Sequence, residues 1–170
     1  MNEKTVQQLI AIGEVHALLD QERIEHWLFG GWAVDFHSGS ATRSHDDIDL
    51  AVWSKNLSHI TVLLESAGWR HAPTQDEDGG SGYERGTVRL ELTYLVRDED
   101  GRIYTPLRQG RASWSRQALG RDILELAGVQ CCIVGLASLT RSKSSPRPDP
   151  GDAAKDRADI GVLSQVKSKE

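Results

Sequence analysis

Two aspartates one residue apart, Asp47 and Asp49, close the stretch GGWAVDFHSGSATRSHDDIDLAV (residues 30–52), which opens on Gly30-Gly31. On a strand, alternate residues share a face, so the two carboxylates point the same way. Like charges this close repel, and burying them without a partner is costly. A cation between them removes the conflict. Hard divalent ions such as Mg2+ take oxygen ligands and keep waters and substrate phosphates in the rest of their shell. A glycine pair gives a turn whose backbone N–H groups can approach a phosphate with no Cβ in the way. Arg43 and His45 lie between the two features and suit phosphate oxygens. Glu91 is a third acid, on the polar face of the alternating run TVRLELTYLV. If that strand neighbours the first, three carboxylates converge, two for a metal and one for a metal or for proton removal.

Taken singly, each feature has a plainer reading. Gly-Gly pairs are commonly simple turns, Asp-x-Asp often sits on a solvated strand edge, and Glu91 could pair across a sheet with Lys or Arg. Asp46 points away from its neighbour and reads as a solvated residue. An EF-hand loop lacks its glycine and its distal Glu at the required spacing. The ordered combination is what points to chemistry.

These residues need a scaffold, and 170 of them make one domain, or one with a small appendage. The net charge of −5 is carried by the first 120 residues, the rest being nearly balanced. A net acidic chain is a poor general nucleic-acid binder, because neutralising phosphates takes clustered Lys and Arg. It suits a metal ion or a cationic small molecule. MNEKTVQQLI has no apolar signal core and no apolar run is long enough to span a bilayer, so no membrane partner and a cytoplasmic location are expected. Cys131 and Cys132, adjacent on a strand, face opposite ways and do not pair with each other.

Periodicity predicts a helix over 5–20 with Leu9, Ile12, His16 and Leu19 on one face, a short strand at 27–29, and a short helix at 32–37. IDLAVW reads as a strand with Ile48, Leu50 and Val52 on one face and Asp47, Asp49 and Ala51 on the other. Ser54 is placed to cap a helix ending at Ala67-Gly68. TQDEDGGSGYE reads as a loop or an open hairpin tip, RDEDGRIY as a hairpin turn, and DILELAGVQCCIV as a second hairpin. After the proline-rich break SKSSPRPDPGD, residues 152–166 form a last helix. The fold class is α+β, a mixed sheet flanked by helices, with residues 1–145 as the domain and 146–170 as a C-terminal helical segment packed on it.

The combination Gly30, Gly31, Trp32, Asp35, Gly39, Thr42, Arg43, His45, Asp47, Ile48 and Asp49 resembles the antibiotic-modifying nucleotidyltransferases of the DNA polymerase β superfamily, the lincosamide and aminoglycoside 2″ branch. The likeness continues more loosely through Glu91, the DEDG turn, and Asp156 and Asp159 of KDRADI. It departs at Glu91, where the relatives commonly carry Asp, and fades after residue 105. The resemblance implies the nucleotidyltransferase fold and transfer of a nucleoside monophosphate from ATP or another NTP to a hydroxyl of a small antibiotic. It further implies Mg2+ on Asp47, Asp49 and Glu91, with Glu91 as metal ligand or general base. Gly30 and Gly31 hold phosphates, assisted by Arg43 and His45, and a homodimer follows by analogy. Trp32 and Asp35 read as structural, Asp35 bonding a loop that holds Thr42 or Arg43. The alternatives are a protein or tRNA hydroxyl as acceptor and a non-catalytic nucleotide-binding scaffold. For an aminoglycoside, the acids Asp76, Glu77, Asp78 and Glu84 are the candidates. For a lincosamide, Tyr83, Tyr94 and Trp114 could supply aromatic walls. The chain length and RLELTYLVRDEDGRI incline the reading narrowly to the lincosamide.

Overall fold

The computed structural model describes residues 1–169, with side chains to residue 166. Helix α1, Glu3–Gln21, starts where Asn2 accepts a hydrogen bond from the Thr5 amide, and buries Leu9, Ile12, Val15 and Leu19 at helical spacing. Strand β1 (His26–Phe29) passes into helix α2 (Gly30–Ser38) with no intervening loop. The helix therefore begins two residues earlier than periodicity predicts. Gly30 makes this possible with φ at +70°, a left-handed conformation that costs a residue bearing Cβ. Gly39, also left-handed, closes α2 by bonding its amide to the Asp35 carbonyl at 2.9 Å.

Strand β2, Ile48–Trp53, is buried along both faces except at Asp49. Its neighbours explain this: β1 pairs with it antiparallel, and β5 (Val88–Arg97) pairs with it parallel. A 3-10 turn at Ser54–Asn56 precedes α3 (Leu57–Ser66), so Ser54 begins the turn and does not cap the helix. Strand β3 (Arg70–His71) pairs with β4 (Gly80–Arg85), and β4 lies antiparallel to β5. The glycine-rich GGSGYE is therefore largely strand. A Cβ on Gly80 would strike the Leu92 carbonyl and one on Gly82 the Arg89 guanidinium, so these glycines mark close approach within a sheet.

The far end of β5 pairs with β6 (Ile103–Pro106), which forms a hairpin with β7 (Arg111–Trp114). The seven-stranded mixed sheet runs β1-β2-β5-β4-β3, with β6 and β7 continuing from β5. Strands β8 (Ile123–Leu126) and β9 (Val129–Cys132) form the expected second hairpin, turning on Ala127 and Gly128, both at positive φ. Both cysteines are free, Cys131 buried and Cys132 partly exposed. Two helices finish the chain. The first, α4 (Leu136–Ser144), does not announce itself by periodicity, because Leu139 is its one buried residue. The last, α5 (Pro150–Lys169), packs on α2 and α4. Among the described residues no helix is long and apolar enough to cross a membrane.

Candidate active site

The parallel register of β2 and β5 sets Asp49 directly beside Glu91. Asp47 sits one residue before β2 begins, on the same side as Asp49. One carboxylate oxygen from each of Asp47, Asp49 and Glu91 falls within 4.8 Å of the others. Charge accumulates with little relief. Burial, then the charges of Asp47 and Glu91, push the Asp49 carboxyl up to about 8. Burial, then Glu91 and Asp46, also raise Asp47 above the usual carboxylate range. Hard oxygen donors, close together and electrostatically strained, fit a divalent cation such as Mg2+. Arg89, two residues along β5, donates from Nε to Glu91 Oε1 at 2.7 Å and so fixes that side chain.

Above the acids, the N-terminus of α2 opens toward a cleft of about 770 Å³. Phe29 provides no side-chain cap there, which leaves the first helical N–H groups for an anion. Both glycines are needed for different reasons. A Cβ on Gly30 would collide with Asp49 Oδ2, whereas one on Gly31 would lie 2.5 Å from His45 Nδ1 and 2.6 Å from an Arg43 nitrogen.

His45 lies buried beneath this turn. Its Nε2 bonds Asp35 Oδ2 at 2.6 Å, its carbonyl accepts from Gln8, and its ring packs on Trp32. Asp35, with no exposed surface, also accepts from the amide and hydroxyl of Thr42. Asp35 thus ties the 39–45 loop to α2, and Thr42 is the loop residue it holds. Arg43 lines the cleft but is gripped at both ends of its guanidinium by the buried Asp159, at 3.1 Å each. Burial works to raise the Asp159 carboxyl, yet hydrogen bonds from Arg43 and Lys143 hold it below the usual range. Asp46, on the rim, is largely exposed as expected, and pairs with Lys155 at 2.8 Å.

A cationic wall that no sequence periodicity announces also lines the cleft. Arg43, Arg141, Lys143, Arg147 and Lys155 line the cleft opposite the acids, four of them from α4, α5 and the link between. Lys143 pairs with Asp156 and Asp159, and Arg147 with Asp156. The buried aspartates of KDRADI are therefore anchors for cations that face the cleft. The available signal was Lys143 before, and Arg147 among, the prolines of SKSSPRPDPGD, which reads as a break because α4 has so little apolar pattern.

On the other side, Trp114 lines the cleft, bonded to Thr105 at 2.8 Å and set edge-on against Phe29. Tyr83 does not reach it: the ring is buried in the core and its hydroxyl meets Thr61. Tyr94 is absent from the lining residues, on the β5 face opposite Glu91. The acid-rich loop comes close. Asp76, Glu77, Asp78 and Glu91 line a recess of about 330 Å³ that shares Asp78 and Thr93 with the main cleft. Glu84 lies outside it, paired with Arg70 and Arg89. The arrangement offers hard-metal ligands, a proton acceptor, an anion-binding helix end with a cationic wall, and an acidic annex.

Comparison with known proteins places the fold and the family. A family profile described as aminoglycoside-2''-adenylyltransferase matches residues 11–137. A 2''-aminoglycoside nucleotidyltransferase of Klebsiella pneumoniae is 33% identical over 84 residues, 49% of this chain and 46% of the relative. The match thus spans less than half the length of that curated relative. The crystal structure of the lincosamide antibiotic adenylyltransferase LnuA with lincomycin bound superposes with a TM-score of 0.69 at 17% identity, covering 98% of both chains. The solution structure of the antibiotic-resistance factor ANT(2'')-Ia gives a TM-score of 0.68 at 18% identity, covering 98% of this chain and 91% of that one. Both likenesses bear out the α+β nucleotidyltransferase fold.

Proposed function

The chain belongs to the aminoglycoside-2''-adenylyltransferase family, and we propose that it transfers the nucleoside monophosphate of ATP or another nucleoside triphosphate to a hydroxyl of an aminoglycoside. The observation that carries this reading is the convergence of Asp47, Asp49 and Glu91 at the foot of a helix that starts on Gly30. Asp47, Asp49 and Glu91 would hold Mg2+, which would supply charge neutralisation at the α-phosphoryl group.

The chain's own residues do the rest. The α2 N-terminus and the wall of Lys143, Arg147 and Lys155 bind the triphosphate, so the α-phosphorus faces the carboxylates. Gly31, whose lack of a Cβ leaves room for His45 and Arg43, lets these side chains pack under the turn, and His45 and Asp35 support it from below. Arg43, spent on Asp159, couples the turn to α5. Glu91, oriented by Arg89, takes the proton of the acceptor hydroxyl as its oxygen bonds to the α-phosphorus. The bond to the β-phosphate breaks and pyrophosphate leaves.

An aminoglycoside is favoured as acceptor because Asp76, Glu77 and Asp78 crowd beside Glu91, where a polycation gains from several acids at once. Loss of Tyr83 and Tyr94 from the cleft removes two of three aromatic walls that favoured a lincosamide. Trp114 and Phe29 keep the lincosamide as a second reading. Steady-state turnover with a gentamicin-type aminoglycoside and with lincomycin separates the two. The aminoglycoside reaction should weaken steeply with ionic strength. Turnover of lincomycin with none of the aminoglycoside would reverse the assignment.

A further inference from the structure

At the opposite end of β1 from the carboxylates, three other side chains converge. His16 of α1, His26 of β1 and Cys131 of β9 each bring one donor atom within 4.8 Å of the others. His16 Nδ1 and His26 Nε2 are 2.7 Å apart, and His26 Nδ1 is 2.8 Å from the Ile24 carbonyl. A carbonyl only accepts, so His26 carries its proton on Nδ1 and turns the Nε2 lone pair toward His16 and the thiol. A ring held through one nitrogen by a backbone carbonyl, with the other nitrogen bare, is the usual posture of a metal-binding histidine. His26 and Cys131 are buried, while His16 is partly exposed and gives access from solvent.

We propose that His16, His26 and Cys131 form a site for a borderline-soft divalent cation of the zinc type. Two imidazole nitrogens and a thiolate select such an ion over Mg2+, so this site and the carboxylate cluster take different metals. Ligands ~2.0–2.3 Å from a tetrahedral ion lie roughly 3.4 Å from one another, so the nitrogens part slightly and the sulfur moves in. His16, on the partly exposed side, is the one that adjusts. Binding releases one proton, from the Cys131 thiol, and moves the His16 proton from Nδ1 to Nε2. The S–H bond becomes a metal–sulfur bond, with no change of oxidation state. Water fills the fourth position on the His16 side, and Asp20, whose charge is felt by both rings, offsets the remaining positive charge.

Cobalt(II), added to the metal-stripped protein under a non-thiol reductant, tests the site directly. A thiolate-to-cobalt charge-transfer band should appear and saturate at one equivalent, and zinc should bleach it. Cys131→Ser should abolish the band, Cys132→Ser should leave it, and His16→Gln should weaken cobalt binding at least tenfold. Should Cys131→Ser fail to fold, His16→Gln decides alone, since its ring is partly exposed. No thiolate band, a band lost with Cys132→Ser, or unchanged affinity in His16→Gln would each overturn the proposal.

Discussion

Gly30 and Asp49 compete for the same space: the position a Cβ would take on Gly30 is filled by Asp49 Oδ2. The strand-to-helix turn and the central carboxylate are thus fitted to each other. Gly30→Ala should lower turnover at least tenfold and cost stability of ~1–2 kcal/mol from the left-handed backbone alone. Gly39→Ala is the matched control. It shares the positive φ but meets no atom within 4 Å, so it should lose similar stability and keep turnover near wild type. Equal activity in the two variants would contradict the fit.

The aspartates carry opposite expectations for activity and stability. Asp47→Asn and Asp49→Asn should each abolish transfer yet raise the melting temperature of metal-free protein, because repulsion within the acid cluster falls. Retention of a tenth of wild-type turnover in both would rule out the metal assignment.

A pH dependence follows from Asp49. Its carboxyl is pushed up from 3.8 to about 8 in the fold, so the folded state holds a proton that the unfolded chain has released. Stability from this group is complete below the ordinary carboxylate range and is lost as pH rises toward 8. Metal-free wild type should therefore lose melting temperature between pH 6 and pH 8 relative to Asp49→Asn. Saturating Mg2+ should remove the difference. Parallel curves without metal would contradict the shift.

Glu91→Gln should reduce the rate by ~10²–10⁴ with little loss of nucleotide affinity, since the two aspartates remain. Glu91→Asp should keep part of the activity. Full activity in Glu91→Gln, read by pyrophosphate release, would place the proton acceptor elsewhere.

The cationic wall is tested through the triphosphate. Lys143→Gln should raise KM for ATP by roughly ten- to a hundredfold, the effect of losing a charge-assisted hydrogen bond of ~1.5–3 kcal/mol, with KM for the acceptor little changed. A loss of melting temperature with KM for ATP unchanged would make Lys143 only a partner for Asp156 and Asp159.

What the sequence reveals of this site follows from how local each signal is. Asp47 and Asp49 are readable because strand alternation sets their face, and the Gly30-Gly31 turn because it adjoins them. The pairing of Asp49 with Glu91 depends on the register of two strands about forty residues apart, which alternation alone leaves open. Gly80 and Gly82 look like loop residues in isolation, and only the Leu92 carbonyl and Arg89 on the neighbouring strand give them a place in a sheet. His45 and Arg43, read as phosphate contacts, both line the cleft and are also held there by Asp35 and Asp159. Their partners lie ten and more than a hundred residues away, and no local pattern encodes either bond. Lys143 and Arg147 go unread because α4 buries so little.

Mass spectrometry of the antibiotic after incubation shows whether the three carboxylates direct nucleotidyl transfer to an aminoglycoside hydroxyl. With ATP and Mg2+, a gentamicin-type aminoglycoside should gain the mass of one adenylyl group, with pyrophosphate released in equal amount. Asp49→Asn protein should give neither product. An antibiotic recovered unmodified with every nucleotide offered, or modified equally by Asp49→Asn protein, would contradict the account.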